Sequence, residues 1–235
     1  MIIDYHRPET MDAALALLSR HMPVSKPLGG GTVLNRPNSD PIALVDLQSL
    51  GLNAVNFRSS SIDLGACVTL QSLLDIPELP AALHEAVAHE ATYNLRQVAT
   101  LAGSLVSCNG RSPLAATLLT MDSTLEIARY HLDPVMVSLG ELLPMRSQLL
   151  QRALITRIVL PLNVTLAYAQ VARTPADLPI VCVAVARWPS GRTRIALGGW
   201  GASPTLAMDG PEPEGGQVAA ENACRLAEDE WASAD

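Results

Sequence analysis

The chain has 235 residues, of which 49% are hydrophobic and 17% are charged, and its formal net charge is −7. This composition excludes a largely disordered chain, because disorder requires low hydrophobicity together with high charge density. It also argues against a nucleic-acid surface, since positive charge is nowhere clustered and only 3% of the residues are aromatic.

The first half of the chain alternates short strands and helices. A helix is predicted from Met11 to Leu18, because Thr10 can cap it and apolar residues recur at helical spacing. Helical spacing returns over 70–91, where two prolines divide the stretch into two helices. Strands are predicted over residues 1–7, 24–28, 42–47 and 61–67. This order predicts a small α/β layer.

The second half is predicted to contain an antiparallel hairpin. Residues 180–188 and 193–197 are apolar runs joined by a Pro-Ser-Gly turn. Residues 203–216 are rich in proline and glycine and are predicted to be a surface linker. Further elements are predicted as a helix over 114–119, strands over 123–129 and 155–160, and a terminal helix over 221–234.

Three successive glycines follow the predicted strand at 24–28. The segment reads Lys26-Pro-Leu-Gly29-Gly30-Gly31-Thr32-Val33-Leu34. Glycines adopt positive φ and carry no Cβ, so their N–H groups can converge on one anion as a nest. Thr32 adds a hydroxyl and Lys26 a cation. The pattern matches neither the P-loop nor GxGxxG, and a plain tight turn remains an equal alternative.

A second segment concentrates small and hydroxyl side chains over residues 100–107. Small residues let a flat ligand approach the backbone, and hydroxyls bond to phosphate or ribityl oxygens. By itself this segment is interpreted as a helix–loop boundary or as an irregular surface connection. Its small and hydroxyl residues are Thr100, Gly103, Ser104 and Ser107.

In order and spacing, these motifs resemble the FAD-binding medium subunit of the molybdenum hydroxylases, which include carbon monoxide dehydrogenase and xanthine dehydrogenase. The resemblance spans about residues 1–200. It rests on Tyr5-His-Arg-Pro8, Gly29-Gly-Gly-Thr32 with Leu34, Leu64-Gly-Ala-Cys-Val-Thr69, Arg96-Gln-Val-Ala-Thr-Leu-Ala-Gly-Ser-Leu105 and Leu118-Leu-Thr-Met-Asp122.

The resemblance implies an α+β chain with a two-lobed FAD-binding fold of the vanillyl-alcohol-oxidase (PCMH) type, followed by a small α+β C-terminal domain. The FAD-binding domain would cover residues 1–163, with lobes at about 1–53 and 54–163. The C-terminal flavoprotein domain, with the hairpin and the terminal helix, would cover 164–235.

The resemblance also implies a set of FAD-binding residues. The two small-residue segments would hold the diphosphate, Ser107 would approach the flavin, and the backbone of Ile155 would meet its ring. The full set is Lys26, Gly29, Gly30, Gly31, Thr32, Val33, Leu34, Thr69, Thr100, Gly103, Ser104, Ser107, Asn109, Ser112 and Ile155.

Three residues depart from the family pattern. Ala102 replaces a glycine and adds a Cβ near the diphosphate. Pro113 replaces an aspartate that bonds to the cofactor, so Ser112 or Asn109 would have to substitute for it. Gln170 replaces a lysine near the isoalloxazine, and loss of that cation would lower the flavin potential.

The implied function is that of a flavoprotein oxidoreductase subunit, inactive alone, in a molybdopterin-dependent hydroxylase or dehydrogenase complex. It would take electrons from an iron–sulfur subunit and pass them to an external acceptor. Its partners would be a molybdopterin-binding large subunit and a 2Fe-2S small subunit, in a heterotrimer or its dimer. Two alternatives are a free-standing flavin oxidoreductase of the same fold and a scaffold module that has lost FAD.

The remaining sequence features predict a cytoplasmic protein. No apolar stretch reaches the ~18 residues of a membrane span, and the N-terminus lacks the basic and apolar regions of a signal peptide. The four cysteines are widely spaced and form no CxxC pair, so they are expected to be reduced thiols rather than metal ligands. The five histidines are scattered, and no metal site or catalytic residue is predicted.

Overall fold

The computed structural model describes residues 1–34, 40–174, 176–225 and 227–231, which form three β-sheets with helices packed between them. The strands are β1 Ile2–His6, β2 Val24–Leu28, β3 Ile42–Asp46, β4 Val55–Phe57, β5 Ser61–Gly65, β6 Thr124–Arg129, β7 Leu132–Ser138, β8 Ala153–Pro161, β9 Thr165–Val171, β10 Val181–Arg187, β11 Thr193–Gly198 and β12 Thr205–Gly210. The α-helices are α1 Met11–Leu18, α2 Leu70–Leu74, α3 Ala81–Glu90, α4 Tyr93–Arg96, α5 Leu101–Ser107, α6 Pro113–Thr120, α7 Leu139–Leu149 and α8 Gly216–Cys224.

The N-terminal sheet is parallel and has the strand order β1-β3-β2. Its central strand β3 has four apolar residues followed by Asp46, and all five are buried, as expected for a strand flanked on both sides. Helix α1 packs on this sheet through Leu15 and Leu18, in a small core that also contains Val45 and Leu154. Because Leu154 belongs to β8, this core joins the N-terminal sheet to the second sheet.

The second sheet is antiparallel, with the strand order β4-β5-β8-β6-β7. It contributes to the main hydrophobic core together with buried leucines of α2, α3, α5, α6 and α7. Every residue of α6 is buried, and Ser112 caps its N-terminus by accepting a hydrogen bond from the Ala115 amide at 3.0 Å. Helix α6 is therefore the central helix of the molecule.

The third sheet is antiparallel, with the strand order β12-β11-β10-β9. Helix α6 contacts β10 and β11, and the Thr120 hydroxyl of α6 lies 3.3 Å from the Ala184 carbonyl oxygen of β10. Arg194 is 4% exposed and pairs with Asp122, which follows α6. Arg192 donates to Asp122 at 2.9 Å and to Asp209 at 2.7 Å. These ion pairs join the third sheet to the turn that ends α6.

Most predicted elements are confirmed. Thr10 caps α1 by accepting from the Ala13 amide at 3.2 Å, the stretch 70–91 forms the two helices α2 and α3, and the predicted hairpin is formed by β10 and β11.

Two predictions in the C-terminal region are wrong. Residues 205–210 do not belong to a linker but form β12, since its backbone pairs with β11 and the prolines lie outside the strand. The last helix is α8 at 216–224, whereas 227–231 are not helical. Residues 226 and 232–235 of the predicted terminal helix lie outside the described residues.

No helix in the described ranges combines the length and the apolar character needed to cross a bilayer.

A buried carboxylate stabilises the start of α6. Glu90, at the end of α3, accepts a hydrogen bond from the Ser112 hydroxyl at 2.8 Å and one from the Leu114 amide at 3.0 Å. Burial raises the pKa of Glu90 to about 7. The folded state therefore binds this proton more tightly than the unfolded state. The stability associated with the proton is complete at acidic pH and is lost as the pH rises through 7.

We expect Glu90→Gln to remove this pH dependence, because glutamine retains an acceptor for Ser112 and Leu114 but does not titrate. The difference in unfolding free energy between Glu90→Gln and the wild type should shift in favour of the variant by up to about 3 kcal/mol from pH 5 to pH 8. Urea unfolding at both pH values measures this gain. The exposed Glu78→Gln variant is the control. Equal pH profiles for wild type and Glu90→Gln would contradict the assignment.

Candidate functional site

A cavity of about 610 Å³ lies where β2, α5 and the start of β8 meet. This volume falls within the range of roughly 300–1,000 Å³ that is usual for small-molecule sites. Its walls come from the N-terminal sheet on one side and from the second sheet with α5 on the other. The cavity therefore lies between the two lobes that the sequence predicts for the FAD-binding domain.

The two small-residue segments are in direct contact at this cavity. A Cβ at Gly30 would lie 1.6 Å from the carbonyl oxygen of Val98, and one at Gly29 would lie 3.0 Å from Thr100 Oγ1. Only glycine allows so close an approach at Gly30. The contact confirms that the two segments lie side by side.

The glycine turn presents backbone donors. Gly31 has a φ of 70°, in the left-handed region. Within the described part of the chain, the amides of residues 29–32 donate to no protein group. Successive unpaired amides in a turn containing left-handed backbone can bind an anion as a nest. The turn therefore has the donors that a phosphate requires.

The second segment is helical and its first amides are already bonded. The interpretation of this segment as an irregular connection is wrong, because α5 begins at Leu101. The Leu101 amide donates to Val68 O at 2.8 Å, and the Ala102 amide to Ala66 O at 3.1 Å. The Gly103 amide donates to Thr100 Oγ1 at 3.2 Å. For a ligand, this segment therefore offers the proton of the Thr100 hydroxyl and little bulk, but no free amide at residues 101–103.

The charges at the cavity have one sign. Arg20, Lys26 and Arg152 line it together with His21, whereas no aspartate or glutamate among the described residues does so. Lys26 and Arg20 form no ion pair with a described carboxylate. Unneutralised cations in a concave site concentrate anionic ligands. Charge and amide donors both favour a phosphate-bearing molecule.

The structure brings most of the predicted site residues together. Those that line the cavity are Lys26, Gly29, Gly30, Gly31, Thr32, Val33, Leu34, Thr100, Gly103, Ser107 and Ile155. Those that lie outside its lining are Thr69, Ser104, Asn109 and Ser112.

The residues outside the lining hold local structure. Thr69 caps α2 by accepting from the Ser72 amide at 3.1 Å. Ser104 is within α5, where its amide donates to Thr100 O at 2.8 Å. Asn109 Oδ1 accepts from the Arg111 amide at 2.9 Å, and the Ser112 hydroxyl donates to Glu90.

The three departures from the family pattern fall in different places. Ala102 lines the cavity and is 9% exposed. Pro113 is the first residue of α6 and is buried. Gln170 lies on β9 outside the lining, where its Nε2 is 2.9 Å from His89 Nδ1 and its Oε1 accepts from the Tyr168 hydroxyl at 2.6 Å.

Several lining residues were missed from the sequence. Arg20 and His21 are adjacent but belong to no motif, and Arg152 lies far from them in the chain, so no local pattern could have grouped the three. Cys67 also lines the cavity, and its position inside the Leu64–Thr69 motif was a usable signal. Burial raises the pKa of the Cys67 thiol to about 11, so this side chain is uncharged at neutral pH.

We expect Gly30→Ala to destabilise the chain, because the new methyl group would overlap the Val98 carbonyl oxygen and separate the two segments. The free energy of unfolding, measured by urea denaturation, should fall by about 1–3 kcal/mol or more. In the control Gly140→Ala, the new Cβ meets Leu119 Cδ1 at an ordinary 3.6 Å within α7, and stability should hold or rise. A Gly30→Ala variant as stable as wild type would refute the contact.

Comparison with known proteins supports this geometry. The family described as the FAD binding domain in molybdopterin dehydrogenase matches residues 1–163. The uncharacterised protein YgfM of Escherichia coli strain K12 is 29% identical over 204 residues, which cover 85% of this chain and 75% of that protein.

Two solved structures share the fold over nearly the whole chain. Reconstituted CO dehydrogenase from Oligotropha carboxidovorans has a TM-score of 0.80 at 22% identity, covering 99% of this chain and 91% of that chain. Quinoline 2-oxidoreductase from Pseudomonas putida 86 has a TM-score of 0.78 at 21% identity, covering 99% and 90%.

The family match takes in both small-residue segments and every residue that lines the cavity. The cofactor of this domain is FAD, whose linked phosphates suit the amides and cations described above. The chain belongs to the family of FAD-binding domains of molybdopterin dehydrogenases.

Proposed function

We propose that this chain is the FAD-binding electron-transfer subunit of a molybdopterin-dependent hydroxylase or dehydrogenase, which takes electrons from an iron–sulfur subunit and passes them to an external acceptor. The observation that carries the proposal is the glycine turn, whose amides donate to no described protein group and which lines a cavity that no described acidic residue lines. The family match, to the FAD-binding domain of molybdopterin dehydrogenases, supports the choice of cofactor and of enzyme class.

The residues at the cavity fit the linked phosphates of FAD. The amides of residues 29–32 and the ammonium group of Lys26 would hold the diphosphate, and the Thr100 hydroxyl would donate to it. Gly103 keeps this wall free of side-chain bulk. Of the fifteen candidates from the sequence, we assign cofactor contact to the eleven that line the cavity and a supporting role to the other four.

When bound, FAD supplies the redox chemistry, because its isoalloxazine ring accepts two electrons and can release them singly or in pairs. The chain binds and orients this cofactor. Ile155 and Ser107, both on the lining, would face the flavin. Apolar residues such as Val106 and Leu154 line the same walls and would be covered by the bound cofactor.

We assign residues 1–163 to the FAD-binding domain, with lobes at about 1–53 and 54–163, and residues 164–235 to a C-terminal flavoprotein domain. The small core around α1 and the larger core around α6 support two lobes. The third sheet, β9–β12, supports a separate C-terminal unit, joined to the rest through α6.

We assign the molybdopterin and the 2Fe-2S centres to a large and a small partner subunit. The family is that of molybdopterin dehydrogenases, and one similar structure is a CO dehydrogenase with Cu and Mo. The four cysteines of this chain are free and widely spaced, which suits a flavin subunit of the reducing cytoplasm.

Purification of the full chain followed by its visible spectrum tests cofactor binding. We expect the absorption bands of oxidised flavin, and FAD in the supernatant after heat denaturation. A colourless protein that ignores added FAD would overturn the proposal in favour of a scaffold module.

Co-expression with the two proposed partner chains tests the electron path. We expect the flavin to be reduced by the substrate of the complex only when both partners are present, with no turnover by this chain alone. Reduction of the isolated chain by a simple organic donor would instead identify a free-standing flavin oxidoreductase.

A further inference from the structure

The cavity has a cationic wall that no sequence motif marks. Arg152 lies in the turn between α7 and β8 and is one of the residues that line the cavity. Its φ is 54°, a left-handed conformation that is uncommon for residues other than glycine. Such conformations are often retained where they place a functional side chain. Three residues further along, Ile155 lines the same cavity from β8.

The guanidinium of Arg152 is held by His21 without being neutralised. Its Nη2 lies 2.8 Å from His21 Nδ1, and its Nη1 lies 3.2 Å from His21 Nε2. A neutral imidazole accepts a hydrogen bond through one nitrogen and carries no negative charge. Within the described ranges, no carboxylate pairs with Arg152. Arg152 therefore contributes an unneutralised positive charge to the lining of the cavity.

The helical wall of the cavity does not supply an equivalent charge. The first amides of α5 donate to Val68, Ala66 and Thr100, so they are not free to bind phosphate oxygens. A diphosphate carries two negative charges. An anion held by the glycine turn on one side therefore needs side-chain cations elsewhere in the cavity.

We infer that Arg152, positioned by His21, is a cofactor-binding residue that pairs with the diphosphate of FAD. This inference rests on the proposed function. Arginine suits the role because its planar guanidinium donates two parallel hydrogen bonds to phosphate oxygens. His21 is a positioning residue, since it fixes the guanidinium on the cavity wall.

Titration of the flavin-free full chain with FAD and with riboflavin, followed by flavin fluorescence, tests the inference. Riboflavin has the ring but no phosphate, so it separates charge recognition from ring binding. Arg152→Met should raise the Kd for FAD by at least about tenfold, the usual loss for a hydrogen bond to a charged group. Its Kd for riboflavin should not change.

The matched control is Arg187→Met. Arg187 is an exposed arginine at the end of β10, outside the cavity lining, so its loss changes the net charge equally. It should leave both Kd values as in the wild type. Should Arg152→Met fail to fold, Arg152→Asn serves in its place, because asparagine tolerates left-handed backbone.

His21→Ala tests the positioning role. It should weaken FAD binding less than Arg152→Met does, and the double variant should bind FAD no worse than Arg152→Met alone, since both changes remove the same interaction. Additive losses would show that His21 acts independently of Arg152.

The remaining outcomes are distinct. If the wild type binds FAD and Arg152→Met binds it equally well, the role of Arg152 is refuted while the proposed function stands. Equal losses of FAD and riboflavin would also refute it, because Arg152 would then act on the ring or on the shape of the cavity. A wild-type chain that binds neither flavin refutes the proposed function itself.

Discussion

The contact between Gly30 and the Val98 carbonyl is the constraint on which the rest of the site depends. It places the glycine turn of the N-terminal sheet directly against the segment that enters α5, although the two are far apart in the chain. With any larger residue at position 30, the backbones would have to separate. The close packing of the two segments at the cavity therefore requires glycine at position 30.

The two segments that meet there contribute different chemistry. The amides of the glycine turn donate to no group in the described part of the chain, whereas the first amides of α5 donate to Ala66, Val68 and Thr100. One wall therefore offers backbone N–H dipoles to a dinucleotide cofactor. The remaining positive charge needed to balance its phosphates must come from side chains such as Lys26. Because no described acidic residue lines the cavity, little of that potential is cancelled.

Polar contacts at helix ends, outside the cavity, stabilise the elements that form its walls. Arg146 of α7 donates to the carbonyl oxygens of Leu105 and Cys108 at the end of α5, at 3.3 and 2.7 Å, and to Ala202 O at 2.6 Å. At the start of α6, Glu90 accepts hydrogen bonds from the Ser112 hydroxyl and the Leu114 amide. The position of α5, and with it one side of the cavity, therefore depends on the C-terminal region as well as on the second sheet.

Features that depend on neighbouring residues could be predicted from the sequence. The Thr10 cap, the proline division of residues 70–91, the hairpin of β10 and β11 and the glycine turn all follow from short-range hydrogen bonding, apolar periodicity or φ preferences. The order of the motifs also indicated the family, the fold and eleven of the residues that line the cavity.

Only the tertiary structure decided the rest. Strand β12 forms because its backbone pairs with that of β11. The local sequence, which is rich in proline and glycine, gives no sign of this pairing. The second small-residue segment was expected to help hold the diphosphate, but the amides of Leu101 and Ala102 donate to Val68 and Ala66 instead. Arg152 and His21 meet only because β8 packs beside α1. Such contacts join residues with no common local pattern, so they are determined by packing and not by propensity.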